Sequence, residues 1–239
     1  MTTGNIAHPP IATTDAWLAA RKELLVREKE VTRARDALNA ARRRLPMVRV
    51  EKAYTFVGAG GEVGFPALFE GRRQLIIYHF MFDPRWDEGC PVCSRYVDAL
   101  GNLSKLSDRD TTFALVSRAP YARLAAYKAR RGWRLPWYSS YGSDFNYDYH
   151  VTFDASVAPT EHNFRSVDIP LDEQPSEGQG ISVFFRLDDA VFHTYSAYAR
   201  GLDMLNGAYH YLDIVPKGRD EAGLPFAMSW VKLHDLYGT

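Results

Sequence analysis

An α/β domain built on a parallel strand–helix–strand unit, preceded by one long helix, is predicted by three features of the 239-residue sequence. Apolar runs at Leu75–Phe82 and Thr111–Ser117 read as strands buried on both faces, the pattern of a parallel sheet covered by helices. Between them lies an amphipathic segment with Tyr96, Val97, Leu100 and Leu103, running to about Leu106, so the crossover is a helix. Residues 15–45 contain neither Gly nor Pro and are rich in Ala, Leu, Arg and Glu, the composition of a continuous helix.

Residues 1–12 are small, polar and proline-marked, and are expected to be mobile. The long helix starts at the Thr13-Thr14-Asp15 cap cluster and stops at Leu45, before Pro46. Trp17, Leu24, Val31, Leu38 and Leu45 recur every seven residues, with Ala20, Ala34 and Ala41 between them and Arg27 as the exception. Such a narrow stripe either lies across its own domain or pairs with a second copy in a homodimer. The nine basic and five acidic residues between Asp15 and Leu45 read as a solvated face. This places a first segment at 1–45 and a domain at 46–239.

Within that domain, Val48–Phe56 is expected as one strand, ended by Gly58-Ala-Gly-Gly61. A helix over Tyr121–Arg131 is capped by Gly132. No regular structure is assigned to Trp133–Tyr149, whose aromatic residues read as core and rim packing, and residues 154–180 read as a long loop. Ile181–Arg186 and Ala190–Tyr195 flank Leu187-Asp-Asp189 as a hairpin. A last helix spans Gly201–Leu212, and the irregular tail is expected to fold back through Phe226, Met228, Trp230 and Val231.

Both cysteines of the chain lie in Gly89-Cys90-Pro91-Val92-Cys93, where a strand hands over to a helix. Unpaired amides and the positive end of the helix dipole favour a thiolate there. Pro91 suits the first helical turn, where a missing N–H costs nothing. Cys90 is then the exposed sulfur and Cys93 the inward one, a turn later, close enough for a reversible disulfide. A cross-link closing so short a loop removes little unfolded-state entropy, which argues against a purely structural bond. A structural zinc site needs further ligands, and no further cysteine exists. Three readings stay open at this point: a redox pair, metal-binding thiols assisted by histidine, and chemically idle cysteines. His79 and His193 are candidates for a proton relay to Cys93 or for a metal ligand, against the plain reading of satisfied buried histidines. Trp86, Asp87 and Glu88 flank Cys90; the two carboxylates oppose the helix dipole, while Arg85 and Arg95 act with it.

The order strand, Cys-x-x-Cys helix, strand, helix, hairpin, helix is that of a thioredoxin-like fold, here with an N-terminal long helix. Leu75–Leu106, with Trp86 shortly before the first cysteine, resembles the thioredoxin active-site region, although the Phe82–Gly89 loop is longer. The strings Glu70-Gly-Arg-Arg-Gln-Leu-Ile-Ile-Tyr-His-Phe-Met-Phe82, Val116-Ser-Arg-Ala-Pro120, Ser139-Ser-Tyr-Gly-Ser-Asp-Phe-Asn-Tyr147, Phe192-His-Thr-Tyr-Ser196 and Ala199–Asp213 are more specific. They resemble a widespread bacterial domain-of-unknown-function family of thioredoxin-like proteins, often labelled predicted dithiol-disulfide oxidoreductases. The resemblance spans nearly the whole chain. It implies a thioredoxin-like fold and a provisional dithiol-disulfide oxidoreductase activity; on that reading Cys90 and Cys93 are catalytic, the residues themselves offer Trp86, Pro91, His79 and His193 as support, and no cofactor is expected. The substrate is a protein or small-molecule thiol or disulfide, and an external reductant supplies the electrons. Two departures stand out. Thioredoxins place a cis-proline before the hairpin strand facing the cysteines, where this chain has Gly180-Ile181, with Pro175 five residues earlier; and the threonine that peroxiredoxins carry three residues before the reactive cysteine is Asp87 here. The alternative function is a copper- or zinc-binding protein using the same cysteines plus His193, an arrangement similar to thioredoxin-like copper carriers.

Composition narrows the setting. The 29 basic and 29 acidic residues cancel, which gives no argument for nucleic acid, and no run reaches membrane-spanning length. Met1–Pro10 lacks the apolar core of a signal peptide, and two cysteines in one motif are no disulfide framework; a cytoplasmic protein with no membrane partner is expected.

Overall fold

The computed structural model describes residues 9–225 and 227–230. What the sequence suggests for residues 1–8, Phe226 and Val231 lies outside them. The described residues form two compact units.

One unit holds helix α1, Thr14–Arg42, and the segment His210–Asp220. The Thr13 hydroxyl caps α1 by accepting from the Ala16 amide at 3.3 Å. The helix stops three residues short of Leu45, as the Arg44 amide turns back to the Ala41 carbonyl. α1 buries none of its residues, and the seven-residue stripe from Trp17 to Leu45 is exposed at every position. In the second segment Arg219 pairs with Asp213 at 2.7 Å.

The other unit is an eight-stranded mixed sheet. Its strands are β1 (Val48–Arg49), β2 (Thr55–Gly58), β3 (Gly61–Gly64), β4 (Gln74–His79), β5 (Thr111–Ser117), β6 (Trp137–Ser139), β7 (Gly180–Leu187) and β8 (Ala190–Tyr198). Across the sheet they run β1-β8-β7-β4-β5-β6-β2-β3. β4 and β5 are parallel, joined by the helix that carries the cysteines, α2 (Pro91–Ala99). β7 lies antiparallel against β4, and the hairpin partner β8 against β7. The order β8-β7-β4-β5 with these directions is the thioredoxin core, so the fold is thioredoxin-like with an N-terminal long helix.

Several local expectations change. The crossover helix breaks at Gly101, whose φ of +66° is a left-handed conformation that favours glycine, and a short α3 (Ser104–Ser107) follows. The expected strand Val48–Phe56 is two strands on opposite sides of the sheet, β1 at one edge and β2 next to the other edge strand. Val50 still bonds Val191, but Lys52 then reaches Asp148 at 2.7 Å and the Tyr54 hydroxyl reaches it at 2.6 Å, drawing the chain off the edge. Helix α4 (Tyr121–Arg131) ends at Gly132 as expected. Trp133–Tyr149, left without regular structure by the sequence, contains β6 and the single-turn helix α5 (Phe145–Asp148). The buried Trp137 indole fixes β6 by donating to the Ser117 hydroxyl at 3.0 Å. The last helix divides into a 3-10 stretch, Ala199–Leu205, and α6 (Gly207–Leu212), separated by the extended backbone of buried Asn206. In the tail, the Trp230 indole and the Met228 amide both donate to Glu221, and Arg95 lies over the Trp230 ring.

Strand alternation sends side chains to opposite faces and creates two cores. Tyr78, Phe80 and Phe82 pack with Cys93, Tyr96 and Val97 of α2 and with Leu124 and Tyr127 of α4. Leu75 and Ile77 pack on the other face with Phe56, Phe65, Phe145, Tyr149 and Phe184. Among the described residues no helix is long and apolar enough to cross a membrane.

Candidate functional site

The cysteines sit beyond the carboxyl end of β4, where its continuation is pinned to its neighbours. The Phe80 amide bonds the Val116 carbonyl, Ala119 bonds Phe82 at 2.8 Å, and the Cys90 amide bonds Met81 at 3.0 Å. Gly89 is buried, and a Cβ there would lie 2.7 Å from Phe80 Cε1 and 3.3 Å from Tyr127 Cε1, so the position has no room for a side chain. Cys90 occupies the N-cap with φ −52° and ψ 127°, and Pro91 opens α2. Ser94 fixes the first turn: its amide and hydroxyl both donate to the Cys90 carbonyl at 2.9 Å, and the hydroxyl also meets Tyr127 at 2.8 Å.

Both thiols are free, Cys90 half-buried and Cys93 fully buried. A hydrogen bond from the Cys93 thiol brings Cys90 down to about 7, against the opposing pull of burial, helped by the Cys93 and Val92 amides. Burial pushes Cys93 well above the usual thiol range, and the neighbouring Cys90 adds to it. One sulfur is thus set up as a thiolate near neutrality and the other is held as a thiol. The expected opposition from Asp87 and Glu88 does not take part in setting Cys90, and Glu88 pairs with Arg130 at 2.6 Å. Trp86 packs against the cluster that contains Cys93, and Pro91 is exposed.

The two histidines are elsewhere. His79 follows Tyr78, so it points to the opposite face of β4, where its ring meets Phe145 and Tyr149. His193 packs beside Tyr149 and Phe184 on that same face. The sheet separates both from the cysteines, which corrects the expectation of a relay to Cys93 and of a Cys90, Cys93 and His193 metal site. Among the described residues no group of three or more His, Cys, Asp or Glu is placed to hold a metal ion. Instead the histidines terminate a buried chain in which His79, Ser182, Ser196 and His193 are linked by three contacts of 2.8 Å.

That chain has a consequence for stability. Burial takes His79 down to about 3, and it lowers His193 as well. His79 stays neutral in the fold down to that value and charges readily when the fold opens, and the lowering of His193 acts in the same direction. The unfolded chain therefore binds more protons below pH 6.5, and stability falls as the pH drops from there toward 3. Each group adds a slope of up to about 1.4 kcal/mol per pH unit. In urea unfolding across that range, His79→Gln is expected to flatten the profile by about one proton; an unchanged slope would refute the assignment.

Three residues that the sequence reading passed over complete the site's frame. Asp83 follows β4, Arg118 follows β5 and Glu177 precedes β7, so the topology brings them to one end of the sheet. Arg118 donates to Asp83 at 2.9 Å and to Glu177 at 2.7 Å, and its third contact is the Tyr147 hydroxyl at 3.1 Å. Arg85 forks onto Asp83 and donates to the Pro175 carbonyl. The Gln174–Pro175 peptide is cis. It is Gln179, next to β7, that meets the buried cysteine, 3.8 Å from its sulfur. Glutamine carries no sequence motif, and only the register of β7 against β4 places it there.

No curated protein matches this chain. Among solved structures, the Xanthomonas campestris bacterioferritin comigratory protein superposes with a TM-score of 0.42 and 11% identity, over 67% of this chain and 93% of its own. A Xylella fastidiosa PrxQ mutant gives 0.43 and 11% over 66% and 89%, and Mycobacterium tuberculosis peroxidoxin BcpB 0.43 and 10% over 66% and 94%. At these scores the likeness assigns neither activity nor residues to this chain. The family model described as "Bacterial protein of unknown function (DUF899)" matches residues 6–237, nearly the whole sequence, and the chain belongs to that family.

Proposed function

We propose that this protein is a thiol-disulfide oxidoreductase in which Cys90 attacks a substrate disulfide and Cys93 resolves the mixed disulfide. The observation that carries this reading is the asymmetry of the pair: a half-buried cysteine at the helix N-cap, brought down to about 7, beside a fully buried one pushed up. A nucleophile needs thiolate character and access, and Cys90 has both. A resolving thiol needs proximity and must stay silent until the mixed disulfide forms. Cys93 meets that need one helical turn away. Trp86 and Pro91 support the pair by packing and by opening the helix; His79 and His193 take no part. The substrate is a protein or small-molecule disulfide, and the reductant comes from outside the chain. No step calls for a cofactor.

The test is a trap. A Cys93→Ser variant is expected to accumulate a mixed disulfide through Cys90, resolvable by mass spectrometry, whereas Cys90→Ser forms none. Normal turnover by Cys93→Ser would rule the cycle out.

A further inference from the structure

The buried side of the cysteine pair carries a polar cluster that the exchange cycle leaves unexplained. Gln179 Oε1 accepts from the Tyr78 hydroxyl at 3.1 Å and from the Cys93 thiol at 3.8 Å. Tyr78 is fully buried and packs in the same cluster as Cys93, the two sharing Gln179 Oε1, and the phenol acts to lower the Cys93 thiol against the pull of burial. Tyr96 stacks on Tyr78 with ring centroids 4.4 Å apart, and its buried hydroxyl has no hydrogen-bond partner among the described residues. Polar atoms this deep are costly without a task, because each gives up water.

The two neighbours of Cys93 favour opposite protonation states. An amide oxygen only accepts, so Gln179 stabilises the thiol. A phenol has a proton to donate, so Tyr78 stabilises a thiolate. Once Cys90 is tied up in the mixed disulfide and no longer takes the Cys93 proton, both donors converge on the one amide oxygen. When Cys93 ionises, the phenol has a better acceptor in the same cluster.

We infer that Tyr78 and Gln179 are positioning residues for the resolving thiol, the Tyr78 hydroxyl turning from Gln179 to the Cys93 sulfur as that sulfur becomes the second nucleophile. The inference rests on the exchange reading above. In the first step the Cys90 thiolate attacks one sulfur of a disulfide, the Cys90–sulfur bond forms, the substrate S–S bond breaks and its electron pair leaves on the first thiolate. Cys93 stays a thiol, its one proton serving the Cys90 thiolate before the attack and Gln179 once the mixed disulfide has formed. In the second step Cys93 gives up its proton and attacks the Cys90 sulfur; the Cys90–Cys93 bond forms, the mixed disulfide breaks and the second substrate thiolate leaves. The proton from Cys93 ends on one of the two released thiolates. The cysteines are oxidised by two electrons and the substrate disulfide is reduced by two.

The experiment uses the whole protein and a symmetrical aromatic disulfide that releases a coloured thiolate, followed by stopped flow across pH. The wild type is expected to release thiolate in two phases, the first from attack by Cys90 and the second from resolution by Cys93. Tyr78→Phe keeps the stacked ring and removes one hydroxyl. It is expected to leave the first phase unchanged, to slow the second roughly ten- to hundredfold, the worth of a hydrogen bond to a charged group, and to move its pH midpoint upward. Gln179→Leu is expected to move that midpoint downward and to leave the first phase alone. A merely structural role shifts both phases together or neither. Second phases that keep the wild-type midpoint in both variants would overturn the inference, and if Tyr78→Phe does not fold, an unmoved midpoint in Gln179→Leu does so alone. A wild-type protein with no first phase would instead overturn the exchange reading itself.

Discussion

Replacing Cys90 with serine is expected to abolish disulfide exchange, and replacing Cys93 with alanine to slow the first attack about sixfold at pH 7. The first result follows from chemistry: the thiolate is the nucleophile, and Cys93 is too deeply buried to substitute for it. The second separates two effects of opposite sign. Cys93 is the largest influence holding Cys90 near 7 instead of 9.0. Returning it to 9.0 would cut the thiolate fraction at pH 7 from about one half to about 1%, roughly fiftyfold. A more basic thiolate is also a better nucleophile, and with a Brønsted slope of about 0.45 that recovers about eightfold. The difference is the sixfold loss. The pH dependence of Cys90 alkylation by iodoacetamide reads it directly: a midpoint near 7 in the wild type, moved upward in Cys93→Ala. A midpoint that stays put would show that the helix terminus, not the partner thiol, sets Cys90.

Arg118→Leu is expected to be the most destabilising single change in the site's frame, at about 3–5 kcal/mol, because it leaves the buried Glu177 carboxylate without its ion-pair partner and strips Asp83 of one of its two. The side chains of Asp83 and Glu177 are each 1% exposed. Asp83 keeps Arg85, whereas among the described residues the side-chain hydrogen bond left to Glu177 is that from the Thr152 hydroxyl at 3.0 Å. Burial already raises the Glu177 carboxyl, with Arg118 and Thr152 opposing that rise; removing Arg118 takes it further up. A carboxyl raised in the fold stabilises fully below its unfolded value of 4.5 and loses that contribution as the pH climbs through the folded value. The penalty of Arg118→Leu should therefore be smallest near pH 4.5 and grow toward neutrality. Adding Glu177→Gln should recover part of it at pH 7 and little at pH 4.5. Urea unfolding of the single and double variants at both pH values decides the matter, and a pH-independent loss would mean that the arginine acts through packing alone.

The long apolar runs, the Cys-x-x-Cys spacing, the Gly132 stop and the Leu187-Asp-Asp189 hairpin were legible in the sequence because each rests on interactions within a few residues or on burial along one strand. They determined the β4–α2–β5 unit, the core order around it and the pairing of an exposed with a buried sulfur. The division of Val48–Phe56 between opposite sides of the sheet was not legible, because it depends on Asp148, roughly a hundred residues away in sequence, capturing Lys52 and Tyr54. Nor was the sidedness of the histidines evident until the register was fixed. A shift of one residue along β4 separates Tyr78, which faces Cys93, from His79, which faces Phe145. Gln179 and the Asp83–Arg118–Glu177 bridge carry no local signature, since their chemistry exists only where three loops meet at the end of the sheet. Sequence alone thus determined which sulfur atoms are available and on which kind of scaffold. Tertiary structure decided what surrounds them, because an ion pair or a hydrogen bond depends on distance in space, and that distance is set by strand register and loop closure, not by spacing along the chain.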